Sequence, residues 1–183
     1  MSLVRRTLLT LVALAAALVS VRTSAEPPIL QASGPIIYLA DNLGEENDLG
    51  WCIDTIGPGF SETLHSRACS ADDGDIEGRD FSFTYDAASD RIAAVTFDGK
   101  CVTANTEGTG PAVGLYDCQP GNPAQTFVYN AEEKTFHPGG NESICITAAT
   151  ESVDHGMFQS RALALQACNE VDVTLRQWLI KSE

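Results

Sequence analysis

The side chains of this 183-residue chain best able to do covalent chemistry are six cysteines: Cys52, Cys69, Cys101, Cys118, Cys145 and Cys168. Thiolates can hold zinc or oxidise to disulfides. Zinc sites usually place two cysteines two to four residues apart, and no two are so close here, so disulfides are the expected use. An oxidising compartment preserves such bridges, and six cysteines allow fifteen pairings. Other reactive groups are sparse. His65, His137 and His155 are scattered, and HExxH, GxSxG and a phosphate-cradling glycine loop are absent. A Ser-His-Asp set could assemble only from distant positions, so the chain reads as non-enzymatic and without a cofactor. Asp73-Gly74-Asp75-Ile76-Glu77-Gly78 has the early oxygens and the glycine of a calcium-type loop, but Thr84 stands where the closing glutamate belongs. It reads as a solvated acidic loop, and no metal is expected. Asn141-Glu142-Ser143 is the one N-glycosylation acceptor sequence.

The cysteines also report how the chain is organised. They form three successive pairs, Cys52/Cys69, Cys101/Cys118 and Cys145/Cys168, and each pair is followed by an aromatic residue, Phe83, Phe127 or Trp178. Equivalent first cysteines lie 49 and 44 residues apart and equivalent second cysteines 49 and 50, so one unit of about fifty residues recurs three times. If each repeat is a compact unit, each closes its own bridge, and a loop of about 17 residues then contributes roughly 3 kcal/mol by restricting the unfolded chain. Apolar residues come in short runs bounded by Gly, Pro, Asn and Asp, without a long stripe of helical period, so the chain is all-β. Four runs fall in each repeat. In the second they are 92–97, 101–104, 113–118 and 126–129, with Asp98-Gly99 as a hairpin turn between the first two. The third places Gly139-Gly140 at the same turn, and the first swells it with the acidic insert Asp41 to Asp48. Repeats at about 36–86, 87–130 and 131–183 thus predict twelve short strands in a closed barrel capped by hairpins, because closure removes exposed edges. Phe83, Phe127 and Trp178 would be equivalent core residues.

Ahead of the repeats, Arg5 and Arg6 precede an apolar run from Leu8 to Val19 that ends near Ser24 and Ala25. This reads as a secretory leader over residues 1–25, cleaved after Ala25, although a cut one to five residues earlier also fits. The run is too short to span a membrane, which takes about 18 to 20 apolar residues, and no later run could serve as an anchor. A soluble, secreted protein follows, with 26–35 as an extended segment holding two prolines. Loss of the leader removes three arginines and no acid, so the formal charge moves from −14 to −17. Such a chain repels nucleic acid and anionic lipid, and neither is an expected partner.

With its repeats, its Cys52-Ile53-Asp54 step, Tyr116 two residues before Cys118, and the closing Gln125-Thr126-Phe127 and Gln177-Trp178, the chain resembles a ricin B-type lectin domain over about residues 36 to 181. The resemblance implies a β-trefoil with threefold pseudosymmetry and shallow sugar pockets, one per repeat. In each, a carboxylate accepts bonds from sugar hydroxyls, an aromatic stacks on the C–H face of the ring, and an amide completes the polar contacts. No repeat keeps the whole set. The first has Asp54 but carries Arg67 at the aromatic position, with His65 two residues before it; the second has Tyr116, Asn122 and Gln125 but Thr103 for the acid. In the third, Thr147 and Gln166 replace acid and aromatic, which leaves Trp178 and a structural role.

The candidate glycan-binding residues are therefore Asp54, His65, Arg67, Tyr116, Asn122 and Gln125, and each has a plainer reading beside it. Asp54 could be a turn former, Tyr116 an amphipathic residue at the barrel mouth, and His65 and Arg67, on one strand face, ion-pair partners of Asp54. Gln125 and Asn122 could tie loops together. The leading expectation is a secreted, non-catalytic protein that binds a glycan or polysaccharide weakly. The rival is a trefoil that has lost sugar binding and grips a protein partner through the acidic insert or the loop 150–159.

Overall fold

The computed structural model describes residues 26–57, 59–70, 79–106, 110–154 and 159–183. The expected leader at 1–25, the expected acidic loop Asp73–Gly78 and His155 lie outside the described residues. Regular structure consists of strands and short 3-10 turns: β1 (Ile36–Leu39), β2 (Trp51–Thr55), β3 (Leu64–Ala68), β4 (Phe83–Asp86), β5 (Arg91–Ala94), β6 (Lys100–Ala104), β7 (Val113–Asp117), β8 (Phe127–Asn130), β9 (Thr135–Pro138), β10 (Ile144–Ala148), β11 (Val153–Asp154), β12 (Gln159–Ala167) and β13 (Trp178–Lys181). Twelve match the expected runs to within a few residues. The two-residue β11 is additional.

The strands repeat as β1–β4, β5–β8 and β9, β10, β12, β13, and the backbone bonds repeat with them. The amide of each closing aromatic donates to the carbonyl just before its own lobe's first strand: Phe83 to Pro35, Phe127 to Asp90 and Trp178 to Lys134, at 3.2, 2.6 and 2.7 Å. The second cysteine of each pair donates to the residue two before the first, Cys69 to Gly50, Cys118 to Gly99 and Cys168 to Ser143. Between lobes, antiparallel pairs join β4 to β5, β8 to β9 and β13 to β1. Together these links run around a ring of six strands that β1 and β13 close. In each lobe a hairpin, β2–β3, β6–β7 or β10–β12, caps the ring. All three disulfides form within lobes, Cys52–Cys69, Cys101–Cys118 and Cys145–Cys168.

Strand alternation sends one residue of each pair inward, and the inward positions are equivalent across lobes: Ile37, Ile92 and Phe136 from the first strands, Ile53, Val102 and Ile146 from the hairpins. Phe83, Phe127 and Trp178 complete this core and are 0% exposed. Tryptophan carries a polar N–H into the core, which must find an acceptor; Trp178 Nε1 donates to the Ile146 carbonyl at 2.9 Å and Trp51 Nε1 to that of Asn42 at 2.7 Å. Across lobes, Tyr85 donates its hydroxyl to Asp90 Oδ1 and accepts from the Tyr129 amide, while Tyr129 donates to the Trp178 carbonyl.

Threefold symmetry breaks at one seam. The extended start of β12 pairs with β3, setting Ser160 opposite Arg67 and Ala162 opposite His65. Arg161 beside it is buried, donates to the carbonyls of Ala149, Thr150 and Leu43, and lies 4.5 Å from the Trp51 ring centre. Desolvation lowers its pKa. The acidic insert is woven into this seam. Asp41, Asn42 and Glu45 are buried, and Glu45 accepts from the amides of Asn47 and Leu49, so much of the charge expected to face a partner serves the loop itself. The segment 26–35 has no regular structure, yet it packs: Ala32 is buried in a second cluster with the Cys52–Cys69 bridge and Phe81.

Burial foremost, and the Asp90 hydrogen bond next, push the Tyr85 phenol from 10.0 up to about 12. Because the folded value is raised, its contribution to stability is complete below pH 10 and lost as pH rises through about 12. Tyr85→Phe is expected to cost about 1 kcal/mol in denaturant melts at pH 7 and to remove that alkaline loss. Unchanged melts would show the cross-lobe phenol bonds to be idle.

Candidate functional site

The hairpin registers place the three candidate sites in equivalent frames. Asp54, Thr103 and Thr147 lie opposite His65, Gly114 and Ala164, while Arg67, Tyr116 and Gln166 lie opposite the first cysteine of their lobe. The acid and platform positions are therefore diagonal neighbours across an antiparallel ladder, within reach of long side chains.

In the first lobe that diagonal is an ion pair. Asp54 Oδ2 lies 3.4 Å from Arg67 Nε and 3.9 Å from His65 Nε2, with the aspartate side chain 2% exposed and that of Arg67 25%. β12 runs beside β3 there, with Ser160 opposite Arg67 and Ala162 opposite His65. A second carboxylate, Asp80, is nearby; burial raises its pKa, against the pull of the Gly59 N–H, which donates to it at 2.8 Å, and of Arg67. Among the described residues, the buried Asp54 Oδ1 finds no hydrogen-bond partner.

In the second lobe Tyr116 is half-buried, and its ring lies over Gly114. A Cβ at Gly114 would stand 2.6 Å from Tyr116 Cε2 and 2.9 Å from the Glu62 carbonyl, so this strand position admits glycine alone without displacement. Gln125 is buried and committed: its amide donates to Thr103 Oγ1 and the Asp117 carbonyl at 3.0 and 2.9 Å, and its oxygen accepts from the Gln119 amide at 2.7 Å. Asn122 caps the 3-10 turn Pro123–Gln125 by accepting from Ala124 N–H, and donates to Gln119 Oε1. These two residues hold the loop that borders Tyr116, and the one aromatic platform stands without an acid at Thr103.

The third lobe, expected to serve the frame alone, opens a cleft of about 360 Å³. Its floor is small and apolar, with Ala148, Ala162, Ala164 and Leu175, and Gln166, Glu170 and Asp172 supply polar groups around it. Thr147 donates to Gln166 Oε1 at 2.6 Å, the same diagonal that holds Asp54 and Arg67. That bond engages the Gln166 carbonyl oxygen, and the residue lines the cleft. Asp172 caps the 3-10 turn Val173–Leu175, accepting from the Thr174 amide and hydroxyl at 2.9 and 2.8 Å, and those bonds lower its pKa. Glu170 and Asp172 escaped the sequence reading because they sit in the loop after Cys168, outside the Cys-x-Asp step. The signal available was their place before the closing Gln177-Trp178.

His137 is buried beside Cys145 and Cys168, but both sulfurs are in a disulfide and the imidazole is bonded to Thr135 Oγ1 and the Ile144 carbonyl. That cluster is structural. Asn141 is exposed on its turn and accepts from the Ser143 amide and hydroxyl at 3.2 and 2.7 Å.

The family model of the ricin-type beta-trefoil lectin domain matches residues 44–182. No curated protein matches the sequence. Among solved structures, a non-toxic homologue of type II RIPs from Momordica charantia (bitter gourd), in complex with alpha-methyl-D-galactoside, is 13% identical with a TM-score of 0.56; the alignment covers 80% of this chain and 46% of that one. The chain thus spans less than half the length of that relative. The C-half of an earthworm R-type lectin in complex with GalNAc is 12% identical over 82% of this chain and 100% of that one, with a TM-score of 0.55. The beta-trefoil lectin of the Vibrio vulnificus hemolysin/cytolysin, with N-acetyl-D-lactosamine bound, is 13% identical over 81% and 93%, with a TM-score of 0.53. At these identities the likeness is one of fold.

Breaking a buried pair leaves a charge uncompensated. Asp54→Ala is expected to cost about 3 kcal/mol in urea melts, and adding Arg67→Leu to recover part of it, a coupling of about 1 kcal/mol or more. Strictly additive losses would show that Asp54 and Arg67 do not stabilise each other.

Proposed function

The chain belongs to the ricin-type beta-trefoil lectin domain family, and on that premise we propose that it is an exported, non-catalytic protein that binds glycans weakly. The observation that carries this reading is the third-lobe cleft. A saccharide is polar around its edge and apolar on one face, and the cleft pairs a floor of alanines with an amide and two carboxylates. The half-buried Tyr116 offers a second, flatter contact in lobe 2, where a ring can rest on the C–H face of a sugar. In lobe 1 the carboxylate is held by Arg67 and His65, so a ligand there must first draw the guanidinium away.

Shallow sites of this kind give dissociation constants on the order of millimolar, and useful retention comes from several sites meeting a repeated ligand. The acidic balance, 25 acids against 11 bases, argues for neutral or cationic glycans over sulfated or uronic ones.

Applied to a glycan array, the exported protein is expected to be retained on a restricted set of neutral glycans. Gln166→Ala and Glu170→Ala should each weaken retention by about tenfold, roughly 1.4 kcal/mol, with circular dichroism unchanged. Tyr116→Ala should have a smaller effect. An array and polysaccharide pull-downs on which the wild type is never retained would end the lectin reading. Retention indifferent to Gln166 and Glu170 would remove the third-lobe cleft from it.

A further inference from the structure

We propose that Glu26 is the first residue of the exported protein and that its free α-ammonium group is the countercharge of Asp41. The proposal rests on the export part of the functional reading and is independent of glycan binding.

The main chain at residue 26 is fixed on the acidic insert from both sides. Glu26 N–H donates to Asp41 Oδ2 at 3.3 Å, and the Glu26 carbonyl accepts from Asn42 N–H at 2.7 Å. Three residues on, Ile29 N–H donates to the Asp48 carbonyl at 2.6 Å. Asp41 is only 8% exposed, and its other oxygen accepts from the Leu43 amide at 2.7 Å. Among the described residues no ion pair joins Asp41 to a lysine, arginine or histidine. A carboxylate so far removed from water is costly unless a cation meets it.

Chemistry at the Ala25–Glu26 bond supplies that cation. In the uncut chain Glu26 presents one amide hydrogen. When an export endopeptidase hydrolyses the bond, the hydroxyl of water goes to the Ala25 carbonyl carbon and its hydrogen to the Glu26 nitrogen, which then takes up a further proton. The product is an ammonium group with three donors at the position where the amide already contacts Asp41. An α-amino group has an ordinary pKa of about 7.7–8.0, so it is charged at neutral pH. The small residues Ser24 and Ala25 suit such a cut. Removal of the leader would therefore strengthen the loop whose Asn42 and Leu43 carbonyls hold Trp51 and Arg161, at the seam between lobes 1 and 3.

The test uses the full chain, exported with its own leader. Intact mass and N-terminal sequencing of the product are expected to give Glu26 as the first residue; any other start overturns the proposal while leaving the glycan reading untouched. The α-amine of that product is then acetylated, with modification confirmed by mass, and melting is compared with the free-amine form. Acetylation is expected to lower the wild-type midpoint by about 3–6 °C and to leave an Asp41→Asn product unmoved. Equal midpoints for free and acetylated wild type would overturn the ion pair, and that comparison decides alone if Asp41→Asn does not fold.

Discussion

Closure of the six-strand ring is the constraint on which the rest of the molecule depends. A four-strand lobe cannot bury its own apolar face, so each must lend its closing aromatic to a shared core. The geometry that enforces this is one bond made three times, from the amides of Phe83, Phe127 and Trp178 back to the carbonyls before β1, β5 and β9. Because the aromatic and the strand start lie at opposite ends of a lobe, that bond folds each lobe upon itself, while β4–β5, β8–β9 and β13–β1 join neighbours. The disulfides act within the same units: each spans a hairpin and restricts the unfolded chain without tying lobe to lobe.

What the ring fixes it fixes identically, and what it leaves free has diverged. Inward positions keep their apolar character in all three lobes, since each faces the common axis. The outward diagonal on each hairpin has no such demand and has become Asp54–Arg67, Thr103–Tyr116 and Thr147–Gln166. In the first case the two side chains form an ion pair through one carboxylate oxygen of Asp54. In the second the hydroxyl turns to Gln125 and the ring spreads over Gly114. In the third the pair is small and short, so the groove beside it stays open. The same backbone thus yields a closed site, a ledge and a cleft.

The frame was legible because it rests on local and periodic signals. Cysteine spacing, the aromatic after each pair and turns such as Asp98-Gly99, where Gly99 adopts φ +69°, each report a backbone event close in sequence. The seam was not legible, because it joins Ser160 to Arg67 and Arg161 to Leu43, contacts that no pattern within a repeat encodes. Two carboxylates of the acidic insert escaped for a related reason. Charge suggested exposure, but Asp41 and Glu45 turn inward to bond backbone amides, a use set by loop conformation. Motif matching weighted Asp54 for its position after Cys52 and passed over Glu170 and Asp172, whose place beside Gln166 appears only once β12 and the following turns are packed.

The central proposal is that a saccharide is held in the cleft of the lobe whose motif is most degraded. Backbone amide chemical shifts of isotope-labelled protein, followed through titration with a monosaccharide taken from a retained glycan, test it most directly. The account predicts concentration-dependent shifts concentrated at 148–150 and 164–175, with smaller ones around Tyr116. Shifts centred on Asp54 and Arg67, or none in any lobe at saturating sugar, would contradict it.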